Sequence, residues 1–324
     1  MAESAIILPD VVLAKAAVDG DRGRGWANAL PDMLADIQTM WSLRIDEQLT
    51  GGTSAYVAMV TTQSGGRAVI KIAVPATSDF MREVRTLELA DGRGYVRLLA
   101  HDASRRAMLL EPLGVPMNLT GQTPERQLAT VAAVLPHVWS LPVNVDSPGH
   151  SSWAGTPVDK AASLQESIVE LWQDLDQPCS ERVLTRAMDC AQKLSRAFDP
   201  DRAVVVHGDA ATANLLQVPA PRAGADAGFV FVDPSTFVGD PAYDLGVALR
   251  DWGTELLAGD AATLAGQWCK LLADGGGMDE VAVWQWGYLE RVSTGLYAES
   301  LGGNGRLHLL TADILCDAGP DLPT

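Results

Sequence analysis

Apolar positions along this chain change their spacing at two places. Residues 9–20 and 26–43 carry apolar side chains at helical intervals, parted by the Gly-, Arg- and Asp-rich stretch 19–25. Three short runs follow, 41–49, 55–62 and 67–74, separated by Gly51-Gly52-Thr53 and Ser64-Gly65-Gly66. Short β-rich runs with glycine turns between them predict an antiparallel meander. The spacing over 79–90 predicts a helix with Asp79 at its start, and 96–101 and 107–112 predict two further strands. Beyond Leu113-Gly114 the period is helical over 123–141, 159–175, 180–198, 241–258, 260–273 and 278–300, interrupted by apolar runs at 203–206 and 229–232 and a Pro/Gly/Ala loop at 219–228. The expectation is an α+β chain, with a β-rich part over 1–112 and a mostly helical part over 113–324.

At 324 residues the chain can bury a large core, and its 47% hydrophobic and 20% charged content is that of a globular protein. No apolar run reaches the roughly 20 residues that span a bilayer. The first residues have no basic region ahead of an apolar one, so the cytoplasm is the expected compartment and no membrane partner is expected. Cys179, Cys190, Cys269 and Cys316 lack a C-x-x-C spacing and read as reduced thiols. A net charge of −17 argues against a nucleic-acid partner and suits a cationic small molecule.

Charge inside apolar runs narrows the chemistry. Of five lysines among 24 basic residues, Lys71 lies within Ala68-Val69-Ile70-Lys71-Ile72-Ala73-Val74. A buried strand does not accept an ammonium without a partner, and Glu83 on the next helix or the phosphates of a nucleotide could supply one. Gly51, Gly52 and Thr53 could offer backbone N–H groups to phosphate oxygens, although neither a dinucleotide fingerprint nor a P-loop is present. The strongest signal is Val204-Val205-Val206-His207-Gly208-Asp209, with Asn214 five residues on and Asp233 ending the run 229–232. A turn at Gly208 would expose Asp209 at a strand end to a substrate hydroxyl, while Asn214 and Asp233 offer the oxygen ligands that Mg²⁺ prefers. His207 reads as a structural hydrogen-bonding residue, and Asp244 in Gly239-Asp240-Pro241-Ala242-Tyr243-Asp244 as a support behind the loop. Among the later helices, Asp251, Glu255, Glu299 and Trp252 are candidate contacts for a cationic acceptor, as are Glu290, Trp284, Trp286 and Tyr288.

These segments together resemble the aminoglycoside phosphotransferase family: Ala-Val-Ile-Lys71, the helix acid Glu83, His207-Gly208-Asp209-x-x-x-x-Asn214, Asp233, and Gly239-Asp240-Pro241-x-x-Asp244. Gly94-Tyr-Val-Arg-Leu-Leu-Ala and Phe231-Val-Asp233-Pro-Ser-Thr-Phe-Val-Gly239 look most like its streptomycin 6-phosphotransferase and hydroxyurea phosphotransferase branch. The resemblance implies a bilobal protein-kinase-like fold, an antiparallel β-sheet lobe with one helix and a mainly helical second lobe. It implies ATP or GTP with Mg²⁺ as cofactors, and Asp209 as catalytic base. Asn214 and Asp233 would be metal ligands, Lys71 a phosphate contact, and the stretch with Glu111 and Leu113 the place where backbone groups meet adenine. The departures are the small residues 210–213 and Pro234 after the metal aspartate, and they bear on the acceptor. The implied activity is ATP-dependent O-phosphorylation of a small molecule, in particular an antibiotic. A kinase of a metabolic alcohol or amino sugar is the alternative on the same fold, and a metal-dependent phosphoester hydrolase built on His207, Asp209 and Asp233 is the alternative outside it.

Overall fold

The computed structural model describes residues 6–18, 20–49, 52, 54–75, 79–143 and 154–320. Gly51 and Thr53 lie outside the described residues. The chain divides into two compact units, Met1–Gly114 and Val115–Thr324.

The first unit is a five-stranded antiparallel sheet in the order β1-β2-β3-β5-β4, built from β1 (Leu43–Gln48), β2 (Ala55–Thr62), β3 (Arg67–Ala73), β4 (Leu98–Asp102) and β5 (Ala107–Leu110). Helices α1 (Asp10–Val18) and α2 (Asp21–Met40) lie on one face. Their Val12, Ala16, Trp26, Leu30, Leu34 and Ile37 form one core with Tyr56, Ala58, Val60, Ile70 and Ile72 of the sheet. Because strand side chains alternate between faces, Lys71 is out of phase with this set and points to the other side, where α3 (Phe80–Ala90) runs. Asp79 caps α3 by accepting from the Arg82 N–H.

Of the stretch 19–25, expected as a separator, residues 21–25 instead form the first turn of α2. The glycine at 23 is what allows it: a Cβ there would stand 1.8 Å from the Ala16 carbonyl oxygen, so α1 and α2 meet at backbone distance.

The second unit is helical with two small antiparallel pairs. Helices α4 (Pro124–Trp139), α5 (Lys160–Asp174) and α6 (Glu181–Ala197) precede β6 (Val204–Val206), β7 (Leu215–Gln217), β8 (Phe229–Phe231) and β9 (Phe237–Gly239). Strand β6 pairs with β9 and β7 with β8. Then come α7 (Ala242–Arg250), α8 (Gly253–Leu257), α9 (Ala261–Gly276), α10 (Glu280–Ser300) and α11 (Arg306–Ile314). Helix α10 packs against α5, α6, α7, α9 and α11 and is the axis of this unit.

Two departures from the periodicity occur here. The single helix expected over 241–258 breaks at Asp251 and Trp252, and the C-terminal helix α11 has no counterpart among the helices read from the sequence. The four cysteines are free thiols, as expected.

Candidate active site

Strand β6 delivers its last residues to a tight, glycine-dependent turn. Gly208 sits at φ +84°, and a Cβ there would fall 2.2 Å from the Ser235 carbonyl oxygen. The Ser235 N–H donates to the His207 carbonyl (2.9 Å), which draws the segment after Asp233 against the end of β6. A second tie, from the Val232 N–H to the Asn214 carbonyl (2.9 Å), extends the β7–β8 pairing by one rung. Asp209 and Asn214, five residues apart, and Asp233, 19 further on, therefore emerge from neighbouring backbone segments. Asp233 itself adopts a left-handed backbone (φ 56°), uncommon for a residue with a Cβ and frequent where geometry serves a site.

Two buried side chains hold this loop from behind. His207 is wholly buried; its Nδ1 accepts from the Asp209 N–H (3.1 Å), so the proton sits on Nε2, which donates to the Val232 carbonyl (3.0 Å). Burial pushes the imidazole down to about 4, keeping it neutral at ordinary pH. Asp244, also fully buried, accepts from the His207 N–H (2.8 Å), the Gly208 N–H (2.9 Å) and the Trp139 indole (3.0 Å). Burial raises its carboxyl to about 6 against the opposing pull of those three donors. The supporting roles expected of both residues are the ones the structure gives them.

Asp209 keeps 40% of its side-chain surface accessible, yet both of its oxygens have partners. Oδ1 accepts from Arg250 Nη2 (2.7 Å) and Oδ2 from Asn214 Nδ2 (2.9 Å). Burial favours the neutral acid, but the charge and hydrogen bond of Arg250, with Asn214 adding to them, hold the carboxyl below its ordinary value. The group is thus a fixed carboxylate able to accept a hydrogen bond from a hydroxyl.

Asn214 gives its amide hydrogens to Asp209, to both the carbonyl and Oδ2, and this leaves its Oδ1 as the atom that can face a cation. Among the described residues no group of three or more His, Cys, Asp or Glu side chains could hold a metal ion. One amide oxygen and the Asp233 carboxylate are a hard, incomplete donor set, which suits a divalent cation arriving with phosphate oxygens and water and does not suit a closed structural site.

In the first unit, Lys71 is 6% exposed and its Nζ lies 2.6 Å from Glu83 Oε1, itself on a residue 4% exposed. The strand lysine therefore has the helix acid as a buried partner, one of the two partners the sequence offers. Gly52, between β1 and β2, is partly buried, and Glu111 accepts from the Arg97 N–H (2.9 Å) near the end of β5. Leu113 is partly exposed.

The expected acceptor contacts fare unequally. Trp252 is 8% exposed, its indole donates to the Ala248 carbonyl and its ring lies 5.8 Å from that of Trp268, so it packs the core and presents no face to an acceptor. Trp284, Trp286, Tyr288 and Glu290 are likewise buried, because they sit on α10, the central helix of the unit. Glu299 is turned to the Gly305 N–H (2.7 Å), where it caps the chain entering α11. Glu255 is exposed on α8. Asp251, 3.2 Å from Arg250 Nε, is brought next to Asp209's partner, as is Glu290, and unlike Glu290 it keeps 38% of its side chain exposed.

The sequence did not single out Arg250 or Tyr243, and it placed Glu290 only as an acceptor contact. Arg250 ends a helix whose preceding eight residues are all buried, and a charge directly after the apolar run 245–249 is the signal that could have found it. Its nitrogens meet Asp251, Glu290 (3.1 Å) and Asp209; burial opposes its charge, but these acids together hold it well above its ordinary value. Tyr243 donates from its hydroxyl to the other oxygen of Glu290 (2.7 Å).

A buried lysine–glutamate pair on an antiparallel sheet in one unit, and the strand-end segments carrying Asp209, Asn214 and Asp233 in a helical unit, are features of a protein-kinase-like phosphotransferase. The chain belongs to the phosphotransferase enzyme family, whose model matches residues 46–284. It is 26% identical over 273 residues to streptomycin 6-kinase of Streptomyces glaucescens, covering 83% of each chain. It is 28% identical over 248 residues to hydroxyurea phosphotransferase of Kitasatospora aureofaciens, covering 74% of this chain and 69% of that one. Among solved structures, choline kinase LicA from Streptococcus pneumoniae superposes with a TM-score of 0.57 at 14% identity, covering 88% of this chain and 98% of the other.

Proposed function

We propose that this phosphotransferase moves the γ-phosphoryl group of ATP to a hydroxyl of a small antibiotic, with a streptomycin-like aminoglycoside as the first acceptor to test and hydroxyurea as the second. The observation that carries the reading is Asp209: an ionised carboxylate at a strand end, aimed by two donors and partly open to solvent. The names of the two sequence relatives support the acceptor class.

Phosphoryl transfer passes through a loose transition state, so the protein's work is alignment and charge placement. Asp209 accepts the hydrogen bond of the acceptor hydroxyl, directs its lone pair at phosphorus and takes its proton as the bond forms. Asn214 Oδ1 and the Asp233 carboxylate would hold Mg²⁺. The metal, when bound, supplies neutralisation of the β- and γ-phosphate charge. Lys71, kept in place by Glu83, would be the cation for the α- and β-phosphates, and the Gly52 backbone would face phosphate oxygens. Glu111 and Leu113 lie in the stretch proposed to meet adenine. Asp251 and Glu255 remain the proposed contacts for a cationic acceptor, which the excess of 41 acidic over 24 basic residues would also favour.

The test is ATP consumption by the purified protein with Mg²⁺ against aminoglycosides, hydroxyurea, choline and simple sugars, with Asp209→Asn as the blank. Turnover of an antibiotic well above that blank supports the reading. Turnover of choline or a sugar alone moves the protein to metabolic kinases, and phosphoester cleavage without nucleotide would replace the reading with a hydrolase.

A further inference from the structure

Arg250 is more than a counter-charge. Its three nitrogens each face a different carboxylate: Nε that of Asp251 at 3.2 Å, Nη1 that of Glu290 at 3.1 Å and Nη2 that of Asp209 at 2.7 Å. A planar guanidinium pinned at three points cannot follow one partner without leaving the others, which a single ammonium could do. The chain of support continues. Glu290 is 4% exposed and receives the hydroxyl of Tyr243, and the Tyr243 ring is wedged edge-on between Phe237 (5.2 Å) and Trp286 (5.1 Å). Arg291, next to Glu290, donates to the Leu249 carbonyl (2.9 Å) and so anchors the end of α7 from which Arg250 projects.

Asp209 has no comparable packing of its own. It follows a glycine turn, precedes the small residues Ala210 and Ala211, and leaves 40% of its side chain accessible. Rotation about its Cα–Cβ bond is opposed by its two side-chain donors, Arg250 and Asn214, and Asn214 sits on the same short loop. The rigid reference is therefore Arg250.

We propose that Arg250, clamped by Glu290 and Tyr243, is the positioning residue that fixes the rotamer of Asp209 for transfer; the proposal rests on the reading of Asp209 as the group that meets the acceptor hydroxyl. Arg250 touches neither nucleotide nor acceptor in this role. Its loss misaims the carboxylate and leaves nucleotide binding intact.

The experiment compares Arg250→Lys, Arg250→Ala and the double variant Arg250→Ala/Glu290→Gln, the last removing the carboxylate that the single variant strands in the core. Three-bond couplings across Cα–Cβ of Asp209 in the isotope-labelled protein, assigned with Asp209→Asn, report its rotamer without any turnover. Wild type is expected to show one rotamer. Arg250→Ala and the double variant are expected to show averaging, with one rotamer restored by added guanidinium chloride at concentrations that leave the fold intact. With an acceptor in hand, kcat in Arg250→Lys is expected to fall by about 10²-fold while KM for the nucleotide stays within about twofold.

A single unchanged Asp209 rotamer in folded Arg250→Ala or in the folded double variant overturns the proposal, as does full kcat in Arg250→Lys. If wild type transfers phosphate to no acceptor, the phosphotransfer reading of Asp209 fails, and the couplings still decide whether Arg250 holds that side chain.

Discussion

Gly208 and Ser235 approach so closely that no side chain fits between them: a Cβ on Gly208 would meet the Ser235 carbonyl oxygen at 2.2 Å. This contact, made with Gly208 in the left-handed region, sets the path of the loop that carries Asp209. Gly208→Ala adds a left-handed penalty to overpacking against backbone and is expected to cost roughly 2–5 kcal/mol of stability, read by urea unfolding. Protein that still folds should lose about 10²-fold in kcat, because the carboxylate moves with the loop.

Asp209→Asn preserves shape and removes the proton acceptor. Steady-state kinetics should show kcat lower by about 10²- to 10⁴-fold with the nucleotide KM little changed. Retention of more than a tenth of wild-type kcat would exclude Asp209 as the base.

His207 gives stability a pH dependence of known sign. Its folded value of about 4 lies below the 6.5 of the exposed ring, so the unfolded chain binds the proton more readily. The contribution is complete above pH 6.5 and is lost as pH falls toward 4, about 2 kcal/mol of it by pH 5. Asp244 acts in the opposite sense over its own window, from 3.8 up to about 6, since its folded carboxyl is the one raised. Comparing wild type with His207→Gln at pH 7 and pH 5 isolates the histidine. The stability difference between the two proteins should shrink on acidification, and a gap that stays constant would contradict the neutral buried ring.

The Lys71–Glu83 pair is expected to behave as a closed unit. Lys71→Met strands a buried carboxylate and should cost about 3–5 kcal/mol, whereas Lys71→Met/Glu83→Leu should recover most of that loss. Both variants should raise the nucleotide KM. Calorimetric unfolding of the single and double variants provides the comparison, and additive losses would show that the two charges are solvated independently.

Trp252 and Asp251, adjacent in sequence, should separate cleanly. Trp252→Ala removes a core ring and is expected to destabilise by about 3–5 kcal/mol with no rise in acceptor KM in protein that folds. Asp251→Asn should raise the acceptor KM with little effect on melting temperature. A reversal of the two outcomes would return Trp252 to the acceptor site.

Much of this was legible in the chain because the informative residues are local exceptions to a pattern. A lysine inside an apolar strand, a glycine between a strand and an acid, and an acid ending a second apolar run each violate what their neighbours predict, and a violated pattern marks a site. The β-meander and the capping of α3 by Asp79 follow from spacing alone. What escaped is tertiary. Arg250 lies 41 positions from Asp209 and 40 from Glu290, and helical periodicity carries no information about which distant loop a helix end will meet. Trp252 was assigned to the acceptor from its chemistry, but the break after α7 turns it inward onto Trp268. The glycine at 23 was read as a breaker because sequence alone does not reveal that its missing side chain makes room for another backbone.

Helices α1 and α2 have a consequence for anyone trimming this protein. The family match begins at residue 46, inside β1, yet the side chains that cover one face of the sheet come from before it. A fragment cut at the family boundary would bare Tyr56, Val60, Ile70 and Ile72 to water and leave β1 without its first residues. Such a sheet is a template for edge-to-edge association, so that fragment should come out of the cell as aggregate, however intact its catalytic loop.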